Sequence, residues 1–337
     1  MSNDASVHHP TNEEVAAAAG VSRSTVSRVI NGSPSVSTVA RDAVKRAIAE
    51  LHYVPNRAAR SLASRATMAI ALVVPENTHR VFGDPFFSEV MSGLTSRLDS
   101  TDYVLNLIIA SDDPPEKTAA YITSGAVDGA FIISHDTSDR FISRIVSAVP
   151  VVFGGRPSAT GTDTHYVDVD NVAGARIATE HLIARGRRHI ATVTGPLTMA
   201  VAADRLAGYR SALAAAGLDA GPIADGGFAL LQGAEAMQHI LDTEEPVDAV
   251  FVASDLMARG AVSTLARAGV AVPAEVAVVG FDDSPAATDL SPLLTTVRQP
   301  TTTLGHQMAE VMLAVLAGEQ PPTATILDTE LVVRETS

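Results

Sequence analysis

Cysteine is absent from the 337-residue sequence. That excludes disulfides, thiolate metal sites of the zinc-finger kind and thiol nucleophiles. Nor is there an apolar run long enough to span a bilayer, and the polar start, Met1 to Pro10, lacks the apolar stretch of a secretory leader. A cytoplasmic protein with no membrane association is expected. Enzyme signatures are missing too: there is no Gly-x-x-x-x-Gly-Lys phosphate loop, no His-Glu-x-x-His zinc pair and no Gly-x-Ser-x-Gly elbow. His8-His9 stands alone in the polar tail, and the neighbouring carboxylates Asp282-Asp283 point in different directions without an evident proton-transfer partner. No catalytic residue, metal or cofactor is expected.

What is present is a chain longer than one hydrophobic core usually organises, so two or three domains are anticipated. The formal net charge of −14 argues against a polyanionic partner until it is divided along the chain. Residues 1–66 carry a net +3 and the remainder −17. A basic head on an acidic body can approach phosphates while the body is repelled.

The head has a helical pattern. Thr11-Asn-Glu-Glu14 is a capping box leading into Val15 to Ala19, which Gly20 ends. Ser22 caps a second short helix, Arg23 to Ile30, stopped by Asn31-Gly-Ser-Pro34, and Ser37 caps a third running to about His52. Two helices joined by three residues fit a helix-turn-helix, and they equally fit an ordinary three-helix bundle. Beyond it, Asn56 can cap Arg57 to Ala63, a helix too short to persist alone in water.

Particular residues separate the two readings. Val15-Ala16, Ala19-Gly-Val-Ser22, Thr25-Val-Ser-Arg-Val29 and Asn31, then Tyr53-Val-Pro-Asn-Arg57 and Ala59-Arg-Ser-Leu62, closely resemble the head of the LacI/GalR family of bacterial transcription regulators. The resemblance implies that Arg23, Ser24 and Arg28 face base edges in a major groove, where Arg suits guanine. It implies phosphate contacts for Ser22, Thr25, Ser27 and Asn31. It further implies that Asn56, Arg57 and Ala59 belong to a hinge helix pairing with its copy in the minor groove, with Leu62 wedged between base pairs. Asn12 and Glu13 depart from the family, which commonly has an apolar residue and then a polar or aromatic one.

After Arg65 the pattern becomes an alternation of apolar runs and amphipathic stretches, the signature of parallel α/β layers. Strands are expected at 68–74, 103–109, 127–133 and 149–153, then at 190–194, 249–253, 276–280 and 330–334, with a helix from Phe87 to Leu98. The fold class is therefore α/β: a helix-turn-helix head plus a two-lobed, periplasmic-binding-protein-like core of doubly wound parallel sheets. The resemblance continues in Asp84-Pro-Phe-Phe87, Gly154-Gly-Arg-Pro157, Val167-Asp-Val-Asp-Asn171, Arg205 with Gly208-Tyr209, Ala253-Ser-Asp255 and Gly280-Phe-Asp-Asp283. By that analogy the domains are 1–54 (DNA-binding head), 55–66 (hinge helix and linker), 67–168 with 300–326 (first lobe) and 169–299 with 327–337 (second lobe).

A sugar site needs charged or amide groups for vicinal hydroxyls and an aromatic face for the ring. The resemblance places Arg205 and Asp282 at the hydroxyl-binding positions, Phe228 at the stacking position and Ser254 where an amide is often found. It also offers Asp84, Phe86 and Arg156 as first-lobe contacts. The expected partners are a pseudo-palindromic double-stranded operator DNA, a small sugar-like effector and a second copy of the chain. A terminus a few residues past the last strand-like run leaves no tetramerising heptad helix, so a homodimer is anticipated. The competing reading is a solute-binding receptor of the same two-lobed build, which would call for a secretory leader and no DNA-reading head.

Overall fold

The structure, a computed structural model, describes the chain except for residues 1–9, 31–32, 34, 54–65, 111–114, 138–139, 158–163, 244 and 290. It forms two compact units, Met1–Thr67 and Met68–Ser337.

The head contains α1 (Asn12–Ala19), α2 (Arg23–Ile30) and α3 (Thr38–Glu50). Each start is set by a short polar side chain that accepts an otherwise unpaired helical N–H. Thr11 Oγ1 accepts from Glu14 N at 3.3 Å while Glu14 Oε2 accepts from Thr11 N at 2.7 Å. Ser22 Oγ accepts from Thr25 N at 3.2 Å, and Ser37 Oγ from Ala40 N at 3.3 Å. Gly20 ends α1 at φ 66°, a left-handed turn that costs glycine nothing. Val15, Ala16, Val26, Val44, Ala47 and Tyr53 close the small core. The departure at Asn12 has a visible consequence: its Oδ1 is buried without a hydrogen-bond partner, where an apolar side chain would leave nothing unpaired.

The second unit runs β1 (Ala69–Val74), α4 (Thr78–Gly83), α5 (Pro85–Leu98), β2 (Val104–Ile109), α6 (Pro115–Tyr121), β3 (Gly129–Ile133), α7 (Ile142–Val146), β4 (Val151–Gly154) and β5 (His165–Val169). It continues through α8 (Asn171–Ala184), β6 (Ile190–Thr194), α9 (Ala200–Ala215), β7 (Ile223–Asp225), α10 (Leu230–Asp242), β8 (Ala249–Val252) and α11 (Asp255–Arg267). The rest is β9 (Ala277–Asp282), α12 (Pro285–Thr288), β10 (Thr295–Arg298), α13 (Thr301–Leu316), β11 (Ala324–Leu327) and β12 (Glu330–Val332).

These strands make two six-stranded sheets ordered β11-β5-β4-β3-β1-β2 and β12-β10-β9-β8-β6-β7. Every pairing is parallel except β10 with β12. Both faces of a parallel sheet are covered by helices, so its central strands are apolar on both sides. In β1, Ile70, Leu72 and Val74 enter one core while Ala71 and Val73 enter another. The chain leaves the first sheet after β5, returns after β10 as α13 packs on α5 and β4, and crosses again between β11 and β12.

The sequence pattern does not mark β5, β7, β10 or β11. β7 is three residues long, and β10 is Thr-Thr-Val-Arg, whose hydroxyls find buried partners: Thr296 Oγ1 donates to Asp255 at 2.5 Å, and Thr295 Oγ1 accepts from Arg334 N at 2.8 Å. Elsewhere the boundaries move by a few residues. β1 begins at Ala69 because Met68 has φ 52°, and β9 runs on to Asp282 rather than stopping at Gly280.

Candidate functional site

Both sheets share one strand order, and in each the order reverses beside the first strand of the lobe, the place where α/β sheets leave a crevice beyond the carboxyl ends of their strands. A cavity lies there. Its wall is drawn from β5 and the segments after β1, β3 and β4 in the first lobe, and from the end of β9 and the segments after β6, β7, β8 and β10 in the second. Asp84, Phe86, Arg156, Arg205, Phe228, Ser254 and Asp282, the seven residues named from the sequence, all line this one cavity.

Arg205 sits in the second turn of α9 and is 4 % exposed. Its guanidinium lies 3.6 Å from the centre of the Phe281 ring, donates from Nε to Asn171 Oδ1 at 2.9 Å and from Nη1 to the Ala253 carbonyl at 2.5 Å. Asp282 Oδ1 is 3.6 Å from Nη1. Burial lowers the Arg205 pKa, an effect that Asp282, Asp168, Asp255 and Asp84 oppose. Burial raises the Asp282 pKa, against the pull of Arg205. Gln299 Nε2 donates to Asp282 Oδ1 at 2.7 Å, so the carboxylate is held rigidly at the end of β9.

On the first lobe, Asp84 caps α5 by accepting from Phe86 N at 3.0 Å, and burial raises its pKa. Phe86 packs edge-on against the core residue Phe87. Arg156 follows β4 and forms a two-point pair with Asp204 of α9, both contacts at 2.8 Å, which bridges the two lobes. Thr198 Oγ1 donates to Asp136 Oδ2 at 3.4 Å across the same gap. Ser254 is the N-cap of α11, accepting from Met257 N at 3.3 Å, so its oxygen is committed while its O–H can still donate. The turn Asp282-Asp283 does not cap a helix. Asp283 pairs with Arg298 and Arg334 at 2.7 and 2.5 Å.

Phe228 owes its position to two features. It has φ 54°, and its ring covers Gly195, where a Cβ would stand 2.0 Å from Phe228 Cε2, so only glycine leaves room for it. Ser134, Phe228, Asp282 and Asp283 are four of the non-glycine residues with positive φ, all at strand ends beside the cavity. Backbone strain of this kind costs about 1–3 kcal/mol per residue and concentrates at ligand-binding sites.

Sequence reasoning missed several wall residues. Asp168 lies in β5 and Gln299 follows β10, two of the strands it did not mark. Asp168 accepts from Arg156 N, Val169 N and Asn171 Nδ2 at 2.8, 2.7 and 2.9 Å, and burial raises its pKa. His135 is buried against Phe153, which lowers its pKa. Arg80, on α4, was also missed. Its position after β1 is the only signal that pointed to it.

In the head, Val26 of α2 is buried while Ser22, Arg23, Ser24 and Arg28 are exposed, so the polar face with Thr25 and Ser27 at its flank points away from the core. Ser22 Oγ stands 2.8 Å from Ser24 Oγ and 2.9 Å from Thr25 Oγ1. Arg23 pairs with Glu13 at 3.0 Å, a pair so exposed that it contributes about 0–1 kcal/mol and can exchange for another anion. Asn31, Asn56, Arg57, Ala59 and Leu62 lie outside the described residues. Among the described residues no group of His, Asp or Glu side chains is arranged to hold a metal ion, and no helix is long and apolar enough to cross a membrane.

Residues 11–56 match the model of bacterial regulatory proteins, lacI family, and residues 179–337 match a periplasmic binding protein-like domain. The HTH-type transcriptional regulator CelR of Thermobifida fusca is 45 % identical over 97 % of this chain and 98 % of its own. The chain belongs to the lacI family of bacterial regulatory proteins. As a lacI-family protein it is a DNA-binding regulator of transcription. The ribose operon repressor of Escherichia coli K12 is 34 % identical over 90 % of this chain and 92 % of its own. Among solved structures, a CelR–cellobiose complex matches 98 % of this chain and all of its own at TM-score 0.78 and 42 % identity. A lac repressor dimer bound to operator and an anti-inducer matches 98 % and 99 % at TM-score 0.86 and 28 % identity.

Proposed function

We propose that this lacI-family chain is a homodimeric repressor whose grip on a pseudo-palindromic operator is controlled by a small carbohydrate held between the two lobes. One observation carries the effector reading: seven residues scattered from Asp84 to Asp282 converge on one cavity at the carboxyl ends of two sheets. In that cavity Arg205 and Asp282 serve vicinal hydroxyls and Phe228 serves the apolar face of a ring. Asp84, Phe86 and Arg156 are the first-lobe contacts, and Ser254 donates its O–H. The division of labour is residues 1–54 for DNA, 55–66 as hinge, 67–168 with 300–326 as first lobe and 169–299 with 327–337 as second lobe.

Control works by population shift. A ligand touching both lobes favours the arrangement in which they close, and a dimer transmits that change to paired hinge segments. The head reads DNA through Arg23, Ser24 and Arg28 at base edges and Ser22, Thr25, Ser27 and Asn31 at phosphates. Asn56, Arg57, Ala59 and Leu62 act in the minor groove.

The test is a thermal-shift series with cellobiose first, because CelR at 42 % identity is the relative seen with that sugar, followed by other mono- and disaccharides, nucleosides and purines. A sugar at one hundred times its Kd adds about 2.7 kcal/mol to stability. The gain should vanish in Asp282→Asn. A hit confined to nucleosides, or one that survives Asp282→Asn, would overturn the carbohydrate assignment.

A further inference from the structure

Three polar residues open α1 and point three ways. Asn12 turns its Oδ1 inward, Glu14 turns back to Thr11 N and Oγ1 at 2.7 and 3.1 Å, and Glu13 faces outward with a side chain 61 % exposed. Glu13 Oε1 stands 3.0 Å from Nη1 of Arg23, the first residue of α2, whose own side chain is 72 % exposed. In a helix-turn-helix the N-terminal residues of the second helix reach base edges while the first helix crosses the backbone. A carboxylate within reach of Arg23 therefore stands at the base-reading end of α2.

That is a costly place for a negative charge. The pair with Arg23 is too exposed to cancel it, and a duplex carries one negative charge per about 1.7 Å of its axis, so every sequence repels Glu13. The cost is offset only where a base offers the carboxylate a donor. Guanine shows acceptors to the major groove, and thymine an acceptor and a methyl group. Adenine sets its amino group beside the N7 acceptor, which suits an amide and repels the second carboxylate oxygen. Cytosine presents its amino group alone and suits glutamate. The exchange also releases the Arg23 guanidinium to a guanine. Base pairs are stacked about 3.4 Å apart, so two side chains that meet at 3.0 Å address one base pair or two adjoining ones.

We propose that Glu13 is a specificity-determining residue of the head: it accepts from a cytosine amino group within one base pair of the guanine read by Arg23, and its charge counts against every other sequence. This rests on the base-edge reading of Arg23 above and extends it to the first helix.

The test is selection of tight binders by the full-length protein from a pool of random-sequence duplexes, with fluorescence anisotropy measuring affinity for the selected duplex and for the unselected pool. Arg23→Ala should erase the preference at one position per half-site, which locates its guanine. The wild type should select a cytosine, on either strand, within one base pair of that guanine, beyond the partner the guanine itself requires if the two lie in adjoining pairs. Glu13→Gln should relax the base preference there by about tenfold and bind the unselected pool more tightly at low salt. Glu14→Gln removes the same charge one residue along, keeps an acceptor for the capping box and should retain the wild-type base preference. Melting of each variant reports folding, and the selected wild-type sequence stands as a test by itself.

A folded Glu13→Gln protein with the base preference or the pool affinity of the wild type would overturn the proposal and leave the reading of Arg23 intact. So would a Glu14→Gln protein that loses the same preference. An Arg23→Ala protein that selects the wild-type sequence would overturn both.

Discussion

Asp255 has no exposed surface and, among the described residues, no salt bridge. Its carboxyl instead takes hydrogen bonds from Thr296 Oγ1 at 2.5 Å and from Ser284 N and Oγ at 2.8 and 3.3 Å. Burial, aided by the charge of Asp283, raises its pKa to about 7 despite those donors. Between the ordinary value of 3.8 and about 7 the native state holds a proton that the unfolded chain has released. Stability contributed by this group is therefore present at low pH and lost as pH rises through about 7. Asp84, Asp168 and Asp282 act in the same direction, since burial raises each. Melting temperatures should fall between pH 5 and pH 8, and Asp255→Asn should flatten that slope while lowering stability overall. A slope unchanged in the variant would assign the pH dependence to the other three. At this scale the sequence was informative for Arg205 and Asp282. It was silent on Asp168 and Gln299, whose place in the wall only folding supplies.

The helices of the head were legible because their ends are local chemistry: Thr11 with Glu14, Gly20, Ser22 and Ser37 act within a few residues of themselves. Strands β1, β6 and β8 were legible for a different reason, as short apolar runs buried on both faces. β10 was not, because Thr295 and Thr296 are polar in composition and buried only by hydrogen bonds to groups 39 and 41 residues away. The wedge proposed for DNA bending is read from sequence alone: Leu62→Ala should reduce operator bending and weaken operator binding, with sugar affinity unchanged. Electrophoretic mobility of circularly permuted operator fragments measures the bend, and an undiminished bend would remove Leu62 as the wedge. Unstacking one base step costs about a few kcal/mol, so a readily unstacked pyrimidine–purine step is expected at the operator centre.

For the whole effector unit, closure is stabilised by small contacts between lobes, of which Arg156 with Asp204 is the most directional. Arg156 is 47 % exposed, so the pair contributes no more than about 1 kcal/mol. Asp204→Asn should therefore weaken sugar binding by a factor of no more than about five and shift the sugar concentration that alters operator occupancy by the same factor, since linkage is reciprocal. Calorimetry and an operator-binding titration measure the two. A much larger loss in affinity would make Asp204 a ligand contact in its own right.

The sequence by itself determined the family, the helix-turn-helix head and the alternation that yields two parallel sheets, because capping, turn chemistry and hydrophobic period are properties of neighbouring residues. It also pointed to Arg205 and Asp282 through fixed motifs, and to Phe228 through the family resemblance. Only the tertiary structure decided what surrounds them. The stacking of Arg205 on Phe281, the fit of Phe228 over Gly195 and the pairing of Arg156 with Asp204 and of Arg205 with Asp282 all join groups distant in the chain. The geometry of a cleft is a sum over such groups at close range, and no local pattern contains it.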